Sequence, residues 1–330
     1  MFGWLPGLTT GRGHAATPPV HPKFAITPPT ARADAATARA GAATAPVNPR
    51  FGVTLQGVPQ TLAPLTTLTS SLGVTPGTVM WYEQWSWAAN FPAAEATDVA
   101  RLGAQPEITW EPWNPADGVN QSDYSLASIA SGAHDAYLNT WAEQIRSWGG
   151  TLRLRFAQEM NGDWYPWAEG VNGNTAGSYV AAWRHVYDLF AADGVHNVIW
   201  VWSPNVSFAG STSLTDLWPG GASVDAIALD GYNVGDTTGS EWRSFSDIFS
   251  SSVSQVEALS THPIFIGEVG SGDAGGNKAL WIQQMFTTLR SWPQVEGFTW
   301  FDFNKEQDWQ INSSASSLAA FRSGVASYGL

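Results

Sequence analysis

A (β/α)₈ barrel is the fold class this sequence predicts, and three observations carry that prediction. From residue 50 onward, eight strand-like runs alternate with helical segments over about 280 residues, the length and rhythm of such a barrel. No glycine-rich phosphate loop follows the first run, where LQGVPQT stands instead, which counts against an open doubly wound sheet. Acidic and aromatic residues collect at the C-terminal ends of the runs, the face on which barrels carry their chemistry. The 330 residues are enough for one large barrel.

Residues 1–49 stand apart. Pro, Ala and Thr dominate them (ATPPVHPKFAITPPTARADAATARAGAATAP), and hydrophobic periodicity is absent. Such a segment buries too little apolar surface to offset its ordering entropy, so it reads as a disordered tail or linker. A spacer role at a cell wall is the functional alternative. Residues 50–330 form the barrel domain.

The expected strands, in order, are RFGVTLQG (50–57), TVMWYEQWS (78–86), QPEITWEPW (105–113), TLRLRFAQEM (151–160), NVIWVWSPN (197–205), VDAIALDGYN (224–233), PIFIGEVGS (263–271) and VEGFTWFDF (295–303). Each is rich in β-branched or aromatic residues and bounded by turn-forming ones. The segments LASIASGAHDAYLNTWAEQIRSWG, AGSYVAAWRHVYDLFAADG, SFSDIFSSSVSQVEALS and GNKALWIQQMFTTLRSW carry helical character between them, and SSLAAFRSGVASYG closes the chain. Trp141, Trp148, Trp183 and Trp281 fall in these helices and read as packing groups.

Composition narrows the partners. Nineteen tryptophans and 13% aromatic residues exceed what a core requires, while charged residues make up only 13%. A net charge of −13 disfavours nucleic acid and anionic lipid, which reward clustered Lys and Arg. A neutral polymer suits this balance better. The chain has no cysteine, which excludes disulfides, thiolate metal sites and a thiol nucleophile. No apolar run is long enough to span a membrane, and MFGWLPGLTTGRGH lacks a clear signal core, so export is not legible at this start.

The strand ends supply Glu83, Glu111, Glu159, Asn205, Asp230 with Tyr232, Glu268, and Asp302 with Asn304. Trp81, Trp85, Trp110, Trp113, Trp164, Trp167, Trp202 and Trp300 are interleaved with them. One carboxylate at a strand end mostly means a cap or an ion pair. Several beside so many aromatics suit an oligosaccharide, because aromatic faces stack on the C–H faces of pyranose rings while carboxylates and amides bind hydroxyls. Side chains two apart share a face of a strand, so Arg153, Arg155, Ala157 and Glu159 should point together into the barrel, and Ile264, Ile266 and Glu268 should share a face. Buried arginines need partners, and Glu107, Glu111, Glu268 and Asp230 are the available acids. A purely structural ion-pair network is the plain alternative, and the two readings are compatible.

Retaining glycoside hydrolysis needs a carboxylate nucleophile and a carboxylic acid about 5–5.5 Å apart. The ends of the fourth and seventh strands face each other across a barrel mouth, so Glu159 and Glu268 can meet that need. Apolar walls at Trp164 and Tyr165 would raise the pKa of Glu159, as an acid/base requires. A hydroxyl from Tyr232 would favour the ionised form of Glu268, as a nucleophile requires.

The segments RFAQEMNGDWYPW, ALDGYN, FIGEVGS and WFDFNKEQDWQI, with ITWEPW before them, resemble glycoside hydrolase family 26, of the clan of retaining (β/α)₈ glycosidases. The resemblance spans roughly residues 50–325, and Glu-Met-Asn-Gly with its following aromatics is its most specific part. It implies Glu159 as acid/base, Glu268 as nucleophile, Tyr232 as the tyrosine that positions the nucleophile, Trp300 as the sugar platform of strand eight, and Trp164 as the aromatic after the acid/base. Substrate-binding positions are then Trp81, Glu111, Trp113, Gln158, Trp164, Tyr165, Trp202, Asn205, Tyr232 and Trp300, with Arg155 and Asp230 in support. The family's activities are mainly endo-β-1,4-mannanase, with β-1,3-1,4-glucanase and β-1,3-xylanase as minorities. One departure matters: mannanases of the family usually carry histidine just before the acid/base, and the wider clan asparagine, where this chain has Gln158. In the clan the amide at that place binds the 2-hydroxyl of the reacting sugar, axial in mannose and equatorial in glucose, so the resemblance implies that Gln158 bears on substrate choice.

The expectation is therefore a retaining endo-β-1,4-mannanase, with a β-1,3-1,4-glucanase as the alternative and a non-catalytic carbohydrate-binding barrel as the reading from another class. Its partner is a β-linked polysaccharide, with no nucleic acid, membrane, metal or cofactor, and the protein is a monomer, secreted or held at the cell surface. His14, His21, His134, His185, His196 and His262 are scattered, with none at a strand's C-terminal end, so a transition-metal site is not expected. The absence of a G-x-S-x-G elbow argues against serine chemistry. Asp163 caps a turn as readily as it touches substrate, and Trp309 stands open between a distal subsite and packing.

Overall fold

The computed structural model describes residues 45–237 and 240–329. The expected tail lies outside the described residues as far as position 44. Its last positions do not belong to a tail, because the first strand, β1, runs Val47–Leu55 and pairs Val47 with Thr75.

Seven more strands follow: β2 (Thr75–Gln84), β3 (Gln105–Glu111), β4 (Leu152–Phe156), β5 (Val198–Trp202), β6 (Ala226–Asn233), β7 (Ile264–Ser271) and β8 (Val295–Asp302). They pair in sequence order, all parallel, and β8 returns to β1 to close the barrel. The helices are α1 (Ala63–Leu72), α2 (Ala93–Arg101), α3 (Leu126–Ala130), α4 (Asp135–Trp148), α5 (Ser178–Ala192), α6 (Phe245–Leu259), α7 (Lys278–Ser291) and α8 (Ala315–Ala326). The (β/α)₈ fold is as the sequence predicts.

Local chemistry sets the helix ends. Gly73 and Gly149 take the left-handed conformation that ends α1 and α4. Ser244 and Asp247 form a reciprocal capping box at α6, while Asn277 and Ser314 accept backbone N–H groups at the starts of α7 and α8.

The main core lies between strands and helices. Trp110, Trp141, Trp183, Trp281 and Trp300 are fully buried there, and their rings meet in edge and tilted contacts such as Trp110–Trp141 at 4.8 Å. The barrel interior is narrower and more polar. Its lower part holds Arg153, paired to Glu107 at 3.2 Å and stacked over Phe265 at 4.2 Å, beside a small apolar cluster of Val201, Ala226 and Ala228.

Two departures from regular strand geometry aim the key acids. On β7, Leu229 and Asp230 of β6 pair with Ile266 and Glu268, skipping Gly267. This is a β-bulge, and it corrects the parity expectation: Ile264 and Ile266 lie in the outer core, whereas Glu268 turns inward. On β4, Arg153 and Arg155 do point inward, but the strand ends at Phe156. Ala157 and Glu159 then adopt φ of 51° and 53°, so Glu159 reaches the mouth through a turn and not through alternation. Left-handed backbone at a non-glycine residue costs on the order of 1 kcal/mol or more. Here the Ala157 N–H is held by Trp110 O and the Glu159 N–H by Ser203 O at 2.7 Å.

Candidate active site

At the C-terminal mouth of the barrel, Arg155 organises the floor. Its guanidinium bridges two acids, with Nη1 donating to Glu268 Oε1 at 2.9 Å and Nη2 to Asp230 Oδ2 at 2.6 Å. Ser203 Oγ and Thr109 Oγ1 accept its remaining N–H groups. A fully buried cation is thus matched by charge and by hydrogen bonds, the condition for burying it at all. Glu268 takes a second donor, the Tyr232 hydroxyl, at 2.5 Å. Burial, and then the charge on Glu268, push the Tyr232 phenol upward, so its proton stays available to that carboxylate. Tyr82, from the inward face of β2, is held in the same way beside Glu268.

Gly267 is the small residue that this arrangement demands. A Cβ there would lie 2.5 Å from Asp230 Oδ1, 2.9 Å from Ala228 Cβ and 3.1 Å from Ser203 Oγ. Gly267→Ala should therefore displace Asp230 from Arg155 and destabilise the fold by about 1–3 kcal/mol. Thermal denaturation and turnover should show the loss together. An alanine variant as stable and active as the parent would contradict this packing.

Glu159 has different surroundings. Asn205 Nδ2 donates to its Oε1 at 2.7 Å and Trp164 Nε1 to its Oε2 at 2.9 Å. Burial, reinforced by repulsion from Glu268, outweighs these two donors and raises its pKa to about 7. Asn161 holds the loop that presents Asn205: its Nδ2 donates to Asn205 O and its Oδ1 accepts from Asn205 N, both at 2.9 Å. This is the structural use of the Asn-Gly after Glu159-Met160. Trp164 packs on Phe208 at 5.6 Å, and a Cβ on Gly162 would come within 2.6 Å of its ring. Trp164 therefore serves Glu159 through its N–H.

A third buried acid, Glu111, accepts from Gln84 Nε2 at 2.6 Å, Gln158 Nε2 at 2.7 Å and Trp113 Nε1 at 3.4 Å. Being acceptor-only when ionised, it fixes the amide of Gln158 with its nitrogen toward Glu111. The Gln158 Oε1 is left without a hydrogen-bond partner. Tyr165 stacks on Trp167 at 4.3 Å and meets the edge of Trp113.

Of the positions singled out in the sequence, the structure gathers Glu159, Glu268, Arg155, Asp230, Tyr232, Asn205, Trp164, Gln158, Glu111, Trp113 and Tyr165 around one mouth. Three tryptophans do not join them. Trp81 alternates with the inward Met80 and Tyr82, belongs to the outer core, and bonds Glu83. Trp202 packs on Trp218 at 5.0 Å. Trp300, the expected sugar platform, is fully buried against Trp281 and Phe321 of α7 and α8, with its Nε1 on Trp309 O. The reason is strand alternation: Phe301, not Trp300, has the inward parity on β8. Phe301, Phe303 and Trp309 form an aromatic cluster with Tyr82 and Tyr232 at the mouth, and Trp309 lies 5.2 Å from Tyr232. Tyr82, Gln84, Thr109, Ser203 and Phe301 were missed, although alternation from Arg155 and Glu111 across neighbouring strands pointed to them. Among the described residues, no group of three or more His, Cys, Asp or Glu could hold a metal ion.

The model of the family described as "Glycosyl hydrolase family 26" matches residues 86–272 of this chain. Endoglucanase H of Acetivibrio thermocellus is 40% identical over 253 residues, covering 75% of this chain and 27% of that protein. Mannan endo-1,4-beta-mannosidase A and B of Caldalkalibacillus mannanilyticus is 38% identical over 96 residues, covering 28% of this chain and 18% of that protein. The chain thus spans only about a quarter or less of the length of these curated relatives. Among solved structures, the catalytic domain of a Bacillus sp. endo-beta-1,4-mannanase superposes with a TM-score of 0.64 at 20% identity, over 84% of this chain and 86% of that one, which shows the shared barrel.

Proposed function

This chain belongs to glycosyl hydrolase family 26 and is a glycoside hydrolase, and on that premise we propose that it cleaves a β-linked polysaccharide internally and with retention, β-1,4-mannan first. The observation that carries the chemistry is the opposite provision of two buried glutamates. Glu268, bonded by Arg155 and Tyr232, is the carboxylate that attacks the anomeric carbon. Glu159, with its pKa near 7, protonates the departing glycosidic oxygen. The glycosyl–Glu268 ester is then attacked by water, which loses its proton to Glu159. Two displacements restore the β configuration and both carboxyl groups.

Mannan is supported by the names of three curated relatives, each a mannan endo-1,4-beta-mannosidase. A β-glucan is the second reading, with its own observations: Gln158 stands where the family's mannanases usually carry histidine, and the relative matched over most of this chain is named an endoglucanase. Reducing-sugar release from β-mannan, lichenan and β-xylan, compared as kcat/KM, separates these readings. Mannan turned over fastest supports the first and lichenan the second, and release from none of the three sinks both.

A polymer substrate places the enzyme's work outside the cell or on its surface. Only three large hydrophobic side chains are exposed among the described residues, Val47, Leu102 and Leu280, which supports the proposal of a monomer, and no described helix is long and apolar enough to cross a membrane.

A further inference from the structure

The loop after β8 carries a lysine that the mechanism above does not use. Lys305 follows Asn304, which bridges to Asp308 in a short hairpin, so its backbone is fixed. Its side chain is 13% exposed. The ammonium lies 3.1 Å from Glu306 Oε1 and has no other protein partner among the described residues. A nearby lysine shows what a structural role looks like. Lys278, at the start of α7, is fully enclosed and donates to the carbonyls of Asp308 and Gln310 at 2.7 and 2.8 Å, pinning the same loop. Lys305 pins nothing of that kind.

A buried ammonium with donors to spare calls for an explanation, since such groups are normally satisfied. Its surroundings indicate one. Besides Glu306, the charges that act on Lys305 are Glu268 and Glu111, both on the floor of the mouth. The loop follows β8, which stands opposite β4 in the closed barrel, so Lys305 overlooks the side of the mouth away from the acid/base. In a retaining mechanism the leaving sugar departs over the acid/base, so the opposite side receives the glycone, the part that becomes bonded to Glu268.

We propose that Lys305 is a substrate-binding residue that donates a hydrogen bond to a hydroxyl of the glycone sugars. This rests on the glycanase reading above. A hydroxyl can accept from an ammonium, and the uncharged glycan leaves Glu268 and Glu111 free to keep their present partners. The unpaired Gln158 Oε1 offers the complementary acceptor, so the mouth presents one unused donor and one unused acceptor to a polyhydroxylated ligand.

The test is steady-state kinetics of Lys305→Met, Lys305→Arg and Glu306→Gln on the best polysaccharide and on an aryl β-glycoside of the same sugars, whose glycone is natural. Loss of a charged hydrogen bond should raise KM about ten- to a hundredfold in Lys305→Met on both substrates, with kcat within a few-fold. Lys305→Arg should recover most of the loss, and Glu306→Gln should leave KM within about twofold. If Lys305 only anchors its loop through Glu306, the methionine and glutamine variants will lose affinity alike, which overturns the proposal. An unchanged KM in Lys305→Met, or a loss confined to the polysaccharide, also overturns it. A parent enzyme inactive on every glycan would instead refute the glycanase reading itself.

Discussion

Glu268→Ala is expected to lower kcat by about 10⁴–10⁶ while the protein stays folded. The fall follows from chemistry: without that carboxylate no glycosyl–enzyme bond can form, and water alone is a poor substitute at the anomeric carbon. The fold should survive because Arg155 keeps Asp230 at 2.6 Å, together with Ser203 and Thr109. The removed side chain also leaves a space beside Arg155 and Tyr232, both donors suited to a small anion. Added azide should enter there and attack an activated aryl β-glycoside directly. One displacement in place of two inverts the centre, so the product should be the α-glycosyl azide. A β-configured azide, or an alanine variant with parental turnover, would show that Glu268 is not the nucleophile.

The barrel was legible because its signal is repeated eight times and each element needs only local pattern. The acids were legible because they end strands, and the short segments around Glu159 and Glu268 resemble a known family. What failed was the assignment of faces. Alternation predicts the direction of a side chain only while the strand is regular, and this site lies where the strands stop being regular. The bulge at Gly267 reverses Glu268 relative to Ile266, and the left-handed residues Ala157 and Glu159 replace alternation by a turn.

The tryptophans show the same limit from the other side. In this chain Trp81, Trp202 and Trp300 look alike in sequence to rim platforms, being aromatic and within a few residues of a strand end. On their regular strands, parity sends all three to the helices, and the inward neighbours Tyr82, Ser203 and Phe301 take the places at the mouth. Applying alternation outward from one secure anchor, Arg155, would have sorted these pairs correctly. Richness in tryptophan therefore owes more to the packing of the outer layer than the composition suggested.

Glu159 carries the second large effect, and its pH dependence is the sharper test. Its pKa of about 7 comes first from burial and then from Glu268, against the donors Asn205 and Trp164. The first displacement needs the protonated form, so kcat/KM on polysaccharide should fall as pH rises through about 7. Glu159→Gln should lose about 10²–10⁴ in kcat/KM and also lose that basic limb, while an aryl glycoside with an acidic phenol should be largely spared in its first step and accumulate the covalent intermediate. Stability should follow the same proton. A carboxyl whose folded pKa is raised binds its proton more tightly in the folded state, so between about 4.5 and 7 rising pH costs stability; above 7 the glutamine variant should melt higher than the parent. The coupling to Glu268 adds one more consequence. Once Glu268 is esterified its charge is gone, so the repulsion that helps raise Glu159 vanishes while Asn205 and Trp164 remain. The pKa of Glu159 should then drop below its free-enzyme value, turning the acid of the first step into the base of the second. Carboxyl titration by ¹³C NMR, in the free protein and in a trapped 2-fluoroglycosyl adduct, should show that downward shift. An unchanged or higher value in the adduct would mean that Glu268 does not tune its partner.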